Sequence, residues 1–155
     1  MYTDNNLIAA GGVSALGAVT FQTPATTGST LSTNVIDLGT NRDIGEGLCL
    51  FLRAQTGAAY TGLTSLEIQA VTADDAALSV NVTVITSTGA IPLALLTVGS
   101  RFAAGLNPRI GSKGQRYLGV RFVVVGTSTA GSSFVDFGAE VQDGQKFYPS
   151  GFSIS

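Results

Sequence analysis

Apolar residues recur at every second position in the stretch Tyr-Leu-Gly-Val-Arg-Phe-Val-Val-Val, residues 117–125. The even-numbered positions from Leu118 to Val124 are apolar, whereas Gly119 and Arg121 take odd-numbered positions. A period of two predicts a β-strand with one buried face, because successive side chains of a strand point to opposite sides. One solvent-exposed face and one buried face are typical of antiparallel sheets that cover a single core.

The same alternation occurs in residues 65–72 and 133–142, and no window holds a helical period that glycine does not break. The candidate strands are 19–22, 34–38, 48–56, 65–72, 80–86, 91–97, 101–106, 117–125 and 133–142. Clusters of turn-forming residues separate them, at 28–29, 57, 74–75, 87–89, 111–114 and 126–132. The chain is therefore expected to be built from short strands and turns.

Strands and turns that recur about every ten residues predict a sandwich or barrel. We predict an all-β fold, an antiparallel double-sheet jelly-roll sandwich of about eight strands with an N-terminal arm. An immunoglobulin-like sandwich is the alternative, although its Cys and Trp landmarks are missing. Residues 1–18 are read as the arm, with one helical turn near Asp4 to Ala10, and residues 19–155 as a single jelly-roll domain.

The composition indicates an ordered protein with an unusually uncharged surface. Hydrophobic residues make up 45% of the 155 residues and charged residues only 12%, against about 25% in ordinary domains. Thr, Ser, Asn, Gln and Gly must cover the exterior, which favours a protein that is packed against another. The net charge of −2 and the absence of a basic stripe argue against nucleic-acid binding.

The residue types needed for common catalytic sites are scarce. Histidine is absent, which removes the usual general base and metal ligand. Cys49 is the single cysteine and lies in an apolar run, so it is interpreted as a small buried side chain. Asp74-Asp75 and Ser112-Lys113 are interpreted as turn residues. We predict no enzyme, no metal and no cofactor.

Targeting segments are not expected either. Residues 7–19 are apolar, but no Lys or Arg precedes them, so a signal peptide is not predicted. No run approaches the ~20 apolar residues of a membrane helix.

Three segments resemble the capsid cement (decoration) proteins of short-tailed bacteriophages. The first is Asn-Val-Ile-Asp-Leu-Gly at 34–39, followed by Arg-Asp-Ile-Gly-Glu-Gly at 42–47 and the apolar run 48–52. Residues 116–123 and 148–152 are similar to other parts of such virion proteins, whereas residues 58–107 show no such similarity.

This resemblance implies a jelly-roll protein on the outer surface of the virion capsid, where it bridges capsomers of the major coat protein. It implies a homodimer, with a trimer as the alternative. The contacts are expected to involve the N-terminal arm, the turn after residue 39 and the aromatic C-terminus, namely Tyr2, Leu7, Ile8, Arg42, Asp43, Tyr148 and Phe152. The competing hypotheses are a head-fibre base, a tail-associated or carbohydrate-binding jelly roll and, least favoured, a small enzyme.

Overall fold

The computed structural model describes residues 5–39, 50–106 and 115–138. These residues form ten strands and two 3₁₀ turns, at Asn5–Leu7 and Leu93–Leu95, and they contain no α-helix. The strands are β1 Ile8–Ala10, β2 Gly12–Val13, β3 Val19–Thr20, β4 Gly28–Leu31, β5 Ile36–Asp37, β6 Phe51–Ala73, β7 Thr83–Ser87, β8 Ile91–Pro92, β9 Arg101–Gly105 and β10 Tyr117–Gly138. The predicted all-β class is confirmed.

Two long antiparallel strands, β6 and β10, form the centre of the molecule. They pair from Phe51 opposite Gly138 to Ala73 opposite Tyr117. The strands β1, β4 and β5 pair in turn along the outer edge of β10, and β9, β8 and β7 pair along the outer edge of β6. The result is an antiparallel ribbon of four lanes.

The lanes lie in an order that differs from their order along the chain. Residues 8–37 form the first lane, β6 the second, residues 83–105 the third and β10 the fourth. Across the ribbon the order is first, fourth, second, third. A ribbon with this order, folded across its middle into two facing sheets, is a jelly roll. This confirms the predicted topology and excludes the immunoglobulin-like alternative, whose strands are distributed differently.

The fold across the middle is made by bends within β6 and β10. Their register shifts repeatedly between Val125 and Ser133 of β10, and such bulges bend a strand from one sheet into the next. Gly126 and Gly131 lie there with φ of 88° and 132°, values that an L side chain rarely adopts. The first sheet contains β1, the C-terminal half of β10, the N-terminal half of β6, and β9. The second contains β4 and β5, the N-terminal half of β10, the C-terminal half of β6, and β7 and β8.

Side chains from both halves of the ribbon enter one core. Leu52 and Phe137 come from the first sheet, and Ile68 and Phe122 come from the second, all at most 1% exposed. The alternation recognised in residues 65–72 and 117–125 selects this buried face. Burial of each such side chain contributes about 1.5–3 kcal/mol. A smaller cluster joins Val71 and Ala73 of β6 to Leu78 in the loop of residues 74–82.

The turns predicted at 28–29, at Gly57 and at 126–132 are wrong, because these residues belong to strands. The described parts of predicted strands 48–56 and 65–72 therefore join in β6, and those of 117–125 and 133–142 join in β10. Residues 48–49 and 139–142 lie outside the described residues. The predicted turn at Asp74-Asp75 is confirmed. Cys49 and residues 111–114 lie outside the described residues.

Within the predicted arm, residues 8–10 are β1 and pair with β10. A 3₁₀ turn over Asn5–Leu7 lies inside the helical turn expected there. Residues 12–13 and 19–20 form a small hairpin of their own. No helix in the described ranges is long and apolar enough to span a membrane.

Candidate interaction surface

The bend in the ribbon gathers four chain segments at one end of the molecule. They are residues 11–27, 56–62, 93–100 and 125–132. Hydrogen bonds join them: the Tyr60 amide donates to the Leu96 carbonyl at 3.1 Å, and the Ser128 amide donates to the Thr26 carbonyl at 2.6 Å. The Thr61 and Thr129 hydroxyls lie 2.8 Å apart. Residues 21–27 and the other three segments therefore meet at one end of the jelly roll. The hairpin of residues 12–20 is attached to this end at its base, because Gly11 and Phe21 both lie against Phe134.

No charged residue occurs in any of the four segments. The sequence holds no Asp, Glu, Lys or Arg in residues 5–36, 54–66, 76–100 or 122–135. Each interval is unremarkable alone, but the fold brings part of every one to the bend. We call the surface formed by residues 11–27, 56–62, 93–100 and 125–132 the uncharged end.

Exposed apolar side chains concentrate on this uncharged end. Leu16 is 97% exposed, Val98 68% and Leu95 56%. Of the nine large apolar side chains that are exposed in the described ranges, the uncharged end also holds Val19, Phe21 and Val125, which leaves Leu31, Val80 and Val84 elsewhere. Single exposed apolar residues are normal, but their accumulation at one place marks an interaction surface.

The uncharged end is supported by a buried frame of Tyr60, Ser133 and Phe134. The Phe21 ring packs edge-on against Phe134, with ring centroids 6.5 Å apart, and it lies directly over Gly57, where a Cβ would come within 2.3 Å of Cδ1. The Tyr60 hydroxyl lies 2.8 Å from Ser133 Oγ, and burial raises the pKa of Tyr60 to about 12. The exposed side chains therefore sit on a fixed base.

The opposite end of the sandwich carries ionic contacts. Arg116 donates from Nε to Asp37 Oδ1 and from Nη2 to Asp37 Oδ2, both at 2.6 Å. The Arg116 hydrogen bonds and the Gly39 amide hold the pKa of Asp37 down at about 2. On the same end, Asp75 accepts the Ser79 and Val80 amides at 2.8 Å. Asp37, Asp75 and Arg116 thus lie away from the uncharged end, whereas the exposed Arg101, which follows Ser100 and pairs with Gln55, lies at its rim.

A groove with a volume of about 440 Å³ runs between the N-terminal segment and β5. Asn34 spans this groove. Its backbone amide donates to the Ala9 carbonyl at 2.9 Å, and its side-chain Nδ2 donates to the Gly11 carbonyl at 3.2 Å. Ile36 packs against the core. Asn34 therefore connects the two parts of the first lane, β1 in the first sheet and the segment before β5 in the second.

A family model described as Bbp16 matches residues 21–137, from Phe21 at the uncharged end to Phe137 near the end of β10. The chain belongs to the Bbp16 family. This family is associated with bacteriophages. No curated protein matches the chain significantly.

In this Bbp16-family chain the predicted contact residues are spread between described and undescribed regions. Tyr2, Arg42, Asp43, Tyr148 and Phe152 lie outside the described residues. Ile8 is buried in its own core and Leu7 packs against that core. Their assignment to an interface stays a prediction, and any effect of changing Ile8 would include a loss of stability.

Sequence reasoning missed the uncharged end. The charge-free intervals were readable in the sequence, but only the fold shows that they converge. Within the described ranges of this Bbp16-family chain, no three His, Cys, Asp or Glu side chains are grouped to hold a metal ion. The expectation that the protein is not an enzyme stays a prediction.

Proposed function

We propose that this protein is a capsid cement protein of a bacteriophage virion. It binds the outer surface of the head and bridges neighbouring capsomers of the major coat protein, as a homodimer or alternatively a trimer, without a catalytic step. The observation that carries the proposal is a phage-associated family joined to a jelly roll with an uncharged end that exposes apolar side chains.

The physical task of such a protein is to favour one state of a lattice. A ligand that binds the expanded shell more tightly than the precursor shell stabilises the expanded shell by mass action. An oligomer that touches several coat subunits gains roughly 10²–10⁴ in apparent affinity over a single contact, because the second contact forms at high effective concentration. Weak individual contacts are therefore sufficient.

The proposal is tested with shells that lack the protein. Purified protein is mixed with expanded empty shells and with precursor shells, and bound protein is measured after co-sedimentation. We expect binding to the expanded shells, with a higher temperature of shell rupture. Protein that stays in the supernatant and leaves the rupture temperature unchanged would contradict the proposal. Labelled protein found at the tail of intact particles would favour the fibre-base or tail-associated alternative.

A further inference from the structure

We propose that the uncharged end is the surface that contacts the coat lattice, and that the coat surface it meets is itself uncharged. This inference rests on the proposed function. It specifies which end of the jelly roll faces the shell and what chemistry the partner presents there.

The absence of charge on this end restricts the partner. A charged side chain pressed against its centre, away from Arg101 at the rim, would lose its hydration and find no opposite charge in return, which is costly. Hydroxyl and backbone groups of residues 56–62 and 126–132 can instead exchange hydrogen bonds with neutral groups of a partner. The charge pattern therefore selects a surface of apolar, hydroxyl and amide groups.

The exposed apolar side chains supply the driving force for that contact. Leu16, Leu95 and Val98 each leave more than half of their surface in water. Removal of apolar surface from water favours association in proportion to the area buried. Among the described parts of the chain, the uncharged end offers more large exposed apolar side chains than the remainder.

The cost of ordering this surface on binding is small. Its residues are largely Gly, Ala, Ser, Thr and Val, whose side chains lose little rotamer freedom when fixed, unlike Lys, Arg and Glu. The packing of Phe21 over Gly57 and the Tyr60–Ser133 contact already fix the base of the surface. A preorganised surface keeps more of its interaction free energy as affinity.

Such a contact is also independent of the surrounding salt. At about 0.1 M ionic strength, salt screens most of the attraction between exposed charges that are more than about 10 Å apart, but it does not weaken apolar burial. A lattice contact through the uncharged end would therefore hold over a wide range of ionic strength. An ionic contact through the Asp37–Arg116 end would not.

The test compares three single substitutions in the full chain. Leu16→Asp and Val98→Asp place a charge on the uncharged end, and Val84→Asp is the matched control on β7, where Val84 is 43% exposed. Binding to expanded shells is measured by co-sedimentation from about 0.05 to 1 M NaCl, conditions that separate screened from unscreened contacts. Thermal unfolding and sedimentation velocity check the fold and the oligomeric state of each variant.

We expect the wild-type affinity to vary by less than about threefold over this salt range, because the contact holds no charge. We expect Leu16→Asp and Val98→Asp to weaken shell binding at least about tenfold, since a buried unpaired charge is costly. Val84→Asp should bind like the wild type, and all three should keep the wild-type oligomeric state.

Three results would overturn the inference. Wild-type binding that falls steeply with salt, or normal binding by Leu16→Asp and Val98→Asp, would show that another surface faces the shell while the cement function stands. Dissociation of the oligomer by Val98→Asp would assign the uncharged end to a second copy of the chain. Failure of the wild-type protein to bind shells at any salt would remove the proposed function and this inference together.

Discussion

At the scale of single residues, the Asp37–Arg116 pair yields a prediction about pH. The pKa of Asp37 is lowered from 3.8 to about 2, first by the Arg116 hydrogen bonds and then by the Gly39 amide. Since the folded pKa is depressed, the pair stabilises the fold above about pH 4, and that contribution is lost as the pH falls toward 2. We expect Arg116→Gln to raise the pKa of Asp37 toward 3.8.

Carboxyl ¹³C NMR titration of Asp37 in both proteins measures this change. The titration of Asp75, whose pKa is lowered by hydrogen bonds from Ser79 and Val80, serves as the internal control and should not move. An Asp37 titration that is identical in the two proteins would show that Arg116 is not the cause.

Two glycines with positive φ separate backbone strain from crowding. Gly131 has φ of 132°, and a Cβ there would lie 2.1 Å from Tyr60 Cδ1. Gly28 has φ of 76°, with nothing within 4 Å of its Cβ position. We expect Gly28→Ala to cost about 1–2 kcal/mol from backbone strain, and Gly131→Ala to cost a further 1–3 kcal/mol, roughly, from overpacking.

Urea unfolding of the two variants gives both free energies. Equal destabilisation would mean that the Tyr60 ring moves aside at no cost, and the buried frame beneath the uncharged end would then be less rigid than the packing indicates.

At the scale of elements, the alternation predicted the buried faces correctly but not the strand lengths. Glycine at 57, 126 and 131 is typical of chain-reversing turns, so the sequence predicts that a strand ends near each of them. In the structure these residues lie where β6 and β10 bend from one sheet to the other while staying paired. Local sequence cannot distinguish a reversal from a bend, because the difference depends on which strand lies alongside.

The pairing of β6 with β10 includes a buried ion pair that can be tested. Arg53 Nε donates to Asp136 Oδ1 at 3.0 Å, a second contact joins Nη2 to Oδ2, and the two side chains are 7% and 0% exposed. Removal of one partner leaves a buried charge uncompensated, so we expect Arg53→Met to destabilise the protein by about 3–5 kcal/mol in urea unfolding.

The double variant Arg53→Met with Asp136→Leu is the control for this experiment. It removes both charges and should recover most of the lost stability, because well-packed apolar residues often replace a buried pair at little cost. If the single and double variants were equally unstable, the loss would come from packing of the Arg53 side chain and not from its charge.

At the scale of the whole molecule, the candidate surface depends on topology that the sequence does not display. The charge-free intervals 5–36, 54–66, 76–100 and 122–135 lie far apart in the chain. They meet because β6 and β10 bend at the same level and their outer lanes follow them. Prediction of the surface therefore required the lane order as well as the composition.

The same topology makes a prediction about folding. β1 pairs with β10 through Ile8 and Asp136, nearly the full chain apart, whereas β6 and β7 are joined by residues 74–82. Loop-closure entropy disfavours distant pairings until others have formed. We therefore expect refolding in milliseconds to seconds, with the β6–β7 pairing formed early and the β1–β10 pairing late.

Two identical substitutions at buried sites test this order. Ile8 in β1 is 4% exposed and Ile68 in β6 is 1% exposed, so Ile→Val at either site should cost about 0.5–1.5 kcal/mol. Stopped-flow kinetics should show that Ile68→Val mainly slows folding, whereas Ile8→Val mainly speeds unfolding. If Ile8→Val instead slowed folding as much as Ile68→Val, the first lane would already be docked on β10 in the transition state, and the jelly roll would close before its central sheet is complete.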